Sequence, residues 1–145
     1  MIHLTVTGHF HFVFTVKQCN EAYIVLSEIP GITLYNAYEI QLGINDNTES
    51  RIRHERGGIE LVKEQTPQIL NCNEYRTFWT SWPGGGTDQL EVGHGESPGT
   101  DIFMRTSIDG TFMLNSVSIS SGNKETGQWE FRNLGGMVIF VCQLM

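Results

Sequence analysis

The chain has little of what several protein classes require. Its 145 residues include three cysteines and no Cys-x-x-Cys pair, so a structural zinc site has poor support. No run approaches the roughly 20 apolar residues of a membrane-spanning helix, and we expect no membrane insertion. Basic residues are few, the net charge is −7, and no long run of one sign occurs. Because nucleic-acid binding depends on clustered Lys and Arg, we expect no nucleic-acid partner.

The three cysteines do not decide whether the chain forms disulfides or is linked to a second copy. Cys19, Cys72 and Cys142 permit one internal bridge with a spare thiol, intermolecular bridges, or no bridge at all. The N-terminus shows no basic region followed by an apolar block and a cleavage site, so no secretory signal is visible. These features alone do not decide the compartment.

Helical periodicity is also missing, because apolar residues nowhere recur at three- and four-residue spacing over a helix length. Short alternating or apolar segments bounded by Gly, Pro, Asn and Asp take its place. Residues 76–93 are typical of a hairpin, with aromatic residues in its first strand and Pro83 followed by three glycines. We therefore predict an all-β fold, a single jelly-roll-like antiparallel β-sandwich over residues 1–145 with about ten short strands.

Candidate ligand-binding groups lie in and beside two polar loops, residues 94–99 and 122–127. A sugar is bound by an aromatic face against its C–H patch and by planar polar side chains that take its hydroxyls. Both kinds of group occur near these loops in sequence. The candidate carbohydrate-binding residues are Arg76, Trp82, His94, Glu96, Asn123, Glu125 and Trp129, and Lys124 lies among them.

Each candidate also has a structural interpretation. Both loops could be solvated turns. Trp129 lies on a strand face that fits a core, and Trp79 and Trp82 point to opposite faces of their strand, so at least one of them fits a core. Arg76 could pair with Glu74 or pack flat on Trp79 instead of holding a ligand hydroxyl.

Catalytic and metal sites find little support. His9 and His11 have the spacing of a strand metal site, but no third ligand is identifiable. Gly95-Glu-Ser-Pro-Gly99 has the form Gly-x-Ser-x-Gly, but it lies in a polar loop between predicted strands and not at the strand-to-helix turn that a nucleophile elbow requires. His-Glu-x-x-His does not occur, and no two carboxylates stand out as an acid–base pair. We expect no catalytic residues, no metal and no cofactor.

An ordered series of segments between residues 16 and 131 resembles the domain family named for farnesoic acid O-methyltransferase, found alone or as a module in many invertebrate proteins. The family usually carries a Trp near the position of Thr106 and a Gly-Trp-Gly where this chain has residues 121–125. The matching segments are Val16-Lys-Gln-Cys-Asn-Glu-Ala-Tyr-Ile-Val-Leu-Ser27, Tyr38-Glu-Ile-Gln-Leu-Gly43, Asn47-Thr-Glu-Ser-Arg-Ile-Arg53, Ile69-Leu-Asn-Cys-Asn-Glu-Tyr-Arg-Thr-Phe-Trp-Thr-Ser-Trp82, Val92-Gly-His-Gly95 and Thr126-Gly-Gln-Trp-Glu-Phe131.

The family name suggests an enzyme, but the sequence lacks the features that a typical methyltransferase needs. A typical methyltransferase needs a parallel α/β sheet with a Gly-rich loop leading into a helix, and the glycines at 84–86 belong to a hairpin instead. The resemblance implies a binding module, because related domains occur beside recognition and adhesion domains. We also expect a secreted, extracellular protein.

Three hypotheses follow. The first is a non-enzymatic lectin of recognition, agglutination or innate immunity, with galactosides slightly favoured because their continuous apolar face suits a Trp. Agglutination needs two sites, so this hypothesis predicts a homodimer or larger assembly, which Cys142 could link. The second is a structural or protein-interaction module. The third, carried by the family name alone, is methylation of a juvenile-hormone precursor.

Overall fold

The computed structural model describes residues 2–6, 8, 10–33, 35–83, 88–108, 113–122, 126–134 and 137–141. Within these residues, twelve strands form two six-stranded sheets, and a four-residue helical turn, Ile44–Asn47, is the one helical element. The strands are β1 (Ile2–Thr5), β2 (His11–Gln18), β3 (Ala22–Ser27), β4 (Ala37–Gly43), β5 (Glu49–His54), β6 (Ile59–Gln65), β7 (Asn71–Ser81), β8 (Gln89–His94), β9 (Ile102–Ser107), β10 (Ser116–Ser121), β11 (Gln128–Leu134) and β12 (Met137–Val141).

The topology combines two meanders with crossing strands. The first sheet has the order β1-β10-β3-β4-β5-β6, and the second has the order β12-β11-β2-β7-β8-β9. Successive strands pair in the β3–β6 and β7–β9 meanders, and the pairings described in both sheets are antiparallel. The predicted antiparallel β-sandwich is confirmed, with twelve described strands where about ten were expected. The predicted hairpin at residues 76–93 corresponds to β7 and β8.

The core lies between the sheets and follows the two-residue period of the strands. Phe12, Phe14 and Val16 of β2 are fully buried on one face, as the alternation predicts. They share a single hydrophobic cluster with Ile24 and Leu26 of β3, in the other sheet. Full burial of each such side chain contributes about 1.5–3 kcal/mol, so the aromatic alternation of β2 is a main determinant of the sandwich.

The strand register brings several connections to one end of the sandwich, which we call the groove end. β2 finishes there at Gln18, opposite the start of β7 at Asn71. β3 starts there at Ala22, opposite Leu42 near the end of β4. The described connections at the groove end are 19–21, 44–48, 66–70 and 95–101, and Gly122 begins a further one.

Candidate functional site

A disulfide between Cys19 and Cys72 fixes the groove end. Of the bridging states that the sequence left open, the structure has one internal bridge, and Cys142 lies outside the described residues. The bridge joins Cys19, in the short connection between β2 and β3, to Cys72, the second residue of β7. The two Cα atoms are 4.2 Å apart. The bridge therefore fixes the end of β2, where the chain leaves the second sheet, to the start of β7 beside the candidate site.

The helical turn Ile44–Asn47 forms a neighbouring wall. Asn45, Asp46 and Asn47 have φ values of 51°, 57° and 61°, so all three adopt the left-handed conformation. This conformation costs roughly 1–2 kcal/mol per residue for most side chains, and Asn and Asp tolerate it best. The Asn47 side chain bonds both main-chain groups of Leu70, which ties this turn to the β6–β7 connection.

These tied segments enclose an open polar groove of ≈ 350 Å³. Five of its eight lining residues carry planar polar side chains, and Leu70 is its one large apolar residue. Side-chain amides and a guanidinium carry donors and acceptors in fixed directions, which suits them to hydroxyl groups. The lining residues are Cys19, Asn47, Gln68, Leu70, Asn71, Cys72, Asn73 and Arg76.

Arg76 is the sequence candidate that the structure places in this groove. Its side chain is 40% exposed, and its Nη2 lies 3.6 Å from Glu74 Oε2. Its Nε is buried, and no described group accepts a hydrogen bond from it. The alternative of pairing with Glu74 is therefore observed, whereas Trp79 lies on the opposite face of β7. An unmatched buried donor costs about 1–3 kcal/mol, so this guanidinium can gain from a further acceptor.

The tryptophans are not in the groove. Trp82 and Trp129 are each only 1% exposed and belong to the core, so neither presents a ring face to a ligand. Trp129 packs against Phe14 and Phe131, with ring centroids 5.8 and 6.1 Å apart. Their proposed role in carbohydrate binding is corrected on this ground. The sequence places them near polar loops, but the alternation of their strands turns both rings inward.

Trp79 is buried on the outer face of the second sheet. Its Nε1 donates to the Thr100 carbonyl at 2.9 Å, and Gly93 lies directly beneath its ring. A Cβ at Gly93 would lie 2.4 Å from a ring carbon, so only glycine permits this approach. The connection 95–101, which contains most of the polar loop predicted at residues 94–99, therefore covers a tryptophan.

His94 and Glu96 are exposed at the edge of that loop and do not line the groove. The His94 ring packs against Phe103, with centroids 4.5 Å apart. The Gly95 N–H donates to the Thr77 carbonyl at 2.9 Å, which latches the loop to β7. The structure thus places these two candidates beside β7 without joining them to Arg76 in one cavity.

Asn123, Lys124 and Glu125 lie outside the described residues. Their loop begins at the groove end, where the Gly122 N–H donates to the Glu21 carbonyl at 2.8 Å. His9 of the histidine pair also lies outside the described part of the chain. Across the part that is described, no group of three or more His, Cys, Asp or Glu residues could hold a metal ion.

Four groove residues escaped the sequence analysis: Asn47, Gln68, Asn71 and Asn73. Asn71 and Asn73, which flank Cys72, could have been recognised as candidates from the sequence, because a disulfide fixes the position of the residues beside it. Asn47 could not be placed this way, since its contact with Leu70 spans 23 positions of sequence.

The architecture defines the class as an all-β sandwich with a disulfide-fixed polar groove at one end. No helix among the described residues has the length and apolarity to cross a membrane. Residues 2–134 match the family described as farnesoic acid O-methyl transferase, and the chain belongs to this family. The resemblance noted from the sequence motifs is thereby confirmed.

A relative, "Uncharacterized protein 5" of Haliotis asinina, is 31% identical to this chain over 118 residues. The match covers 81% of this chain and 66% of that protein, so the chain spans about two thirds of this relative's length. No solved structure matches the chain.

Proposed function

We propose that the protein is a non-enzymatic carbohydrate-binding module that holds its ligand in the polar groove. The observation that carries this proposal is the convergence of Gln68, Asn71, Asn73 and Arg76 on one open cavity. A pyranose presents hydroxyls in fixed directions, and these side chains present donors and acceptors that can match them. The groove shows no nucleophile beside a general base, which favours binding over catalysis.

The galactoside preference has lost its basis. It rested on an exposed tryptophan covering the apolar face of the sugar, and the three tryptophans of the chain are at most 1% exposed. The proposal therefore concerns hydroxyl-rich glycans held by hydrogen bonds, without a preferred epimer. Such contacts contribute about 0.5–1.5 kcal/mol each, so useful avidity needs several sites in one assembly, and we propose a homodimer or larger assembly.

The disulfide supports secretion as part of the proposal. Cys72 is exposed, and exposed bridges persist mainly in oxidising compartments because cytosolic thiols reduce them. An extracellular location also suits a glycan ligand. Mass spectrometry of the protein isolated from its source, with and without reductant, checks whether the bridge is present in the cell.

A glycan array probed with folded protein tests the proposal. We expect selective glycan binding, and saturating ligand at about 100 times Kd should stabilise the fold by about 2.7 kcal/mol. Asn73→Ala removes an exposed groove amide and should weaken binding about three- to tenfold. Tyr35→Ala, at the opposite end, is the matched control. An array without hits, or binding and turnover of a methyl donor, would contradict the proposal.

An apolar surface at the opposite end favours a second candidate function, protein interaction. Ile29, Ile32 and Tyr35 are 57%, 43% and 74% exposed, and a shallow hollow of ≈ 210 Å³ lies beside the last two. Exposed apolar clusters of this kind mark contact surfaces in soluble proteins. If this is the main function, Tyr35→Ala should weaken partner binding and Asn73→Ala should not.

A further inference from the structure

The guanidinium of Arg76 has two adjacent donors, Nε and Nη2, whose hydrogen-bonding capacity is not fully satisfied. Nε–H and one N–H of Nη2 point to the same edge of the planar group, where a carboxylate can accept both bonds at once. Glu74 lies 3.6 Å from Nη2, well beyond the about 2.7–2.9 Å of a charge-assisted hydrogen bond. Nε has no acceptor among the described residues.

The charges around the groove favour an anion at this edge. The eight lining residues include one cation, Arg76, and no carboxylate. The lining itself therefore carries one positive charge, which the Glu74 carboxylate, 3.6 Å from Arg76 Nη2 and outside the lining, partly neutralises. The remaining polar lining groups are neutral amides, which can hydrogen-bond to sugar hydroxyls but cannot neutralise the guanidinium.

We propose that the groove selects a sugar bearing a carboxylate, such as a uronic or sialic acid. This inference rests on the proposed carbohydrate-binding function and specifies its ligand class. The carboxylate bonds Nε and Nη2 of Arg76, and the ring hydroxyls bond Asn71, Asn73 and Gln68. Because Nε is buried in the observed conformation, binding requires the Arg76 side chain to turn and present this donor to the groove. The side chain is 40% exposed and held by one long ion pair, so this movement costs little.

Glu74 acts as a competitor in this arrangement. Its side chain is 67% exposed and lies 3.6 Å from Nη2, one of the two donors that the ligand carboxylate must engage. Binding therefore displaces Glu74 into solvent, at a small cost because an exposed ion pair contributes little. Removing the Glu74 charge should accordingly strengthen binding of an acidic sugar.

Titration calorimetry with D-glucuronate and D-glucose tests the inference, because the two sugars differ only at C6, where glucuronate has a carboxylate and glucose has a hydroxymethyl group. We expect glucuronate to bind at least about tenfold more tightly, as a bidentate charge-assisted contact implies. Arg76→Gln should abolish this difference, and Arg76→Lys should lose most of it, because Lys keeps the charge without the planar fork. Lys63→Gln, on β6, removes the same charge elsewhere and should leave the difference intact.

Glu74→Gln gives the sharpest readout. It should tighten glucuronate binding about two- to fivefold while leaving glucose binding unchanged, a gain that a misfolded variant cannot produce. Thermal unfolding of each variant checks that the fold is retained.

The outcomes separate the inference from the proposed function. Equal binding of glucose and glucuronate, both weakened by Asn73→Ala, would overturn the acidic ligand and leave the glycan module standing. Tighter binding of glucose 6-sulfate than of glucuronate would show that the groove prefers a tetrahedral anion to a planar carboxylate, and would overturn the inferred ligand class. Binding of polyglutamate in place of any saccharide would overturn both.

Discussion

Asn47 Nδ2 donates to the Leu70 carbonyl at 2.7 Å, and the Leu70 N–H donates to Asn47 Oδ1 at 3.0 Å. One side chain thus pairs with the main chain of another residue as a neighbouring strand would. The contact joins the left-handed turn Ile44–Asn47 to the β6–β7 connection and gives the groove a rigid wall.

Breaking this pairing should destabilise the protein. Asn47→Asp keeps the shape of the side chain but places a carboxylate oxygen against the Leu70 carbonyl, and we expect a loss of about 1–3 kcal/mol in the free energy of unfolding. Asn47→Gly separates the backbone effect, because it loses both hydrogen bonds but adopts positive φ readily. Urea denaturation measures both variants, with Asn73→Ala as the control. Unchanged stability of Asn47→Asp would show that the pairing is not formed in solution.

The Cys19–Cys72 bridge should make a large contribution to stability. It closes a loop with a sequence separation of 53, for which the chain-entropy model gives about 4 kcal/mol. We expect the Cys19→Ser/Cys72→Ser double variant to lose about that much in urea denaturation. Cys142→Ser leaves the bridge in place and serves as the control. Equal midpoints for the double variant and the control would contradict the bridge.

Gly93 and Trp79 should be energetically coupled. Gly93→Ala places a Cβ against the indole ring and should cost about 1–3 kcal/mol through overpacking. In a Trp79→Phe background the crowded indole atoms are gone, so the same Gly93→Ala change should cost less. A double-mutant cycle measures this coupling energy. Strict additivity would mean that the 95–101 loop does not hold Trp79 over Gly93.

Stability should also depend on Glu39 in a pH-dependent way. Glu39 is 3% exposed, and burial raises the pKa of its carboxyl above the ordinary 4.5, although the Gly57 N–H, Arg56 and Arg51 oppose the shift. The folded state therefore binds this proton more tightly than the unfolded state. The resulting contribution to stability is greatest below pH 4.5 and falls as the pH rises from 4.5 through the raised pKa.

Glu39→Gln isolates this effect, because Gln keeps an oxygen for the Gly57 N–H but does not ionise. We expect the variant to gain stability relative to the wild type as the pH rises above 4.5. Chemical denaturation at several pH values measures the difference, with the exposed Glu64→Gln as the control. A difference that stays constant with pH, or shrinks, would contradict the buried carboxylate.

The sequence alone determined the layers of this protein. Alternation such as Phe12-Val-Phe14 has the two-residue period of a strand, and this period is a local property that neighbouring residues reveal. The glycine and proline boundaries, the hairpin of β7 and β8 and the family motifs are local in the same sense. The sandwich and the family were therefore predictable without coordinates.

Only the tertiary structure decided which polar residues form a cavity and which aromatic rings are buried. Trp79 is buried because a distant loop folds over the outer face of its sheet, and Asn47 lies in the groove because it pairs with Leu70. Such relationships join residues that are far apart along the chain, through sheet register and one disulfide. A pattern within one strand cannot report them, because it shows which side a residue faces but not what covers that side.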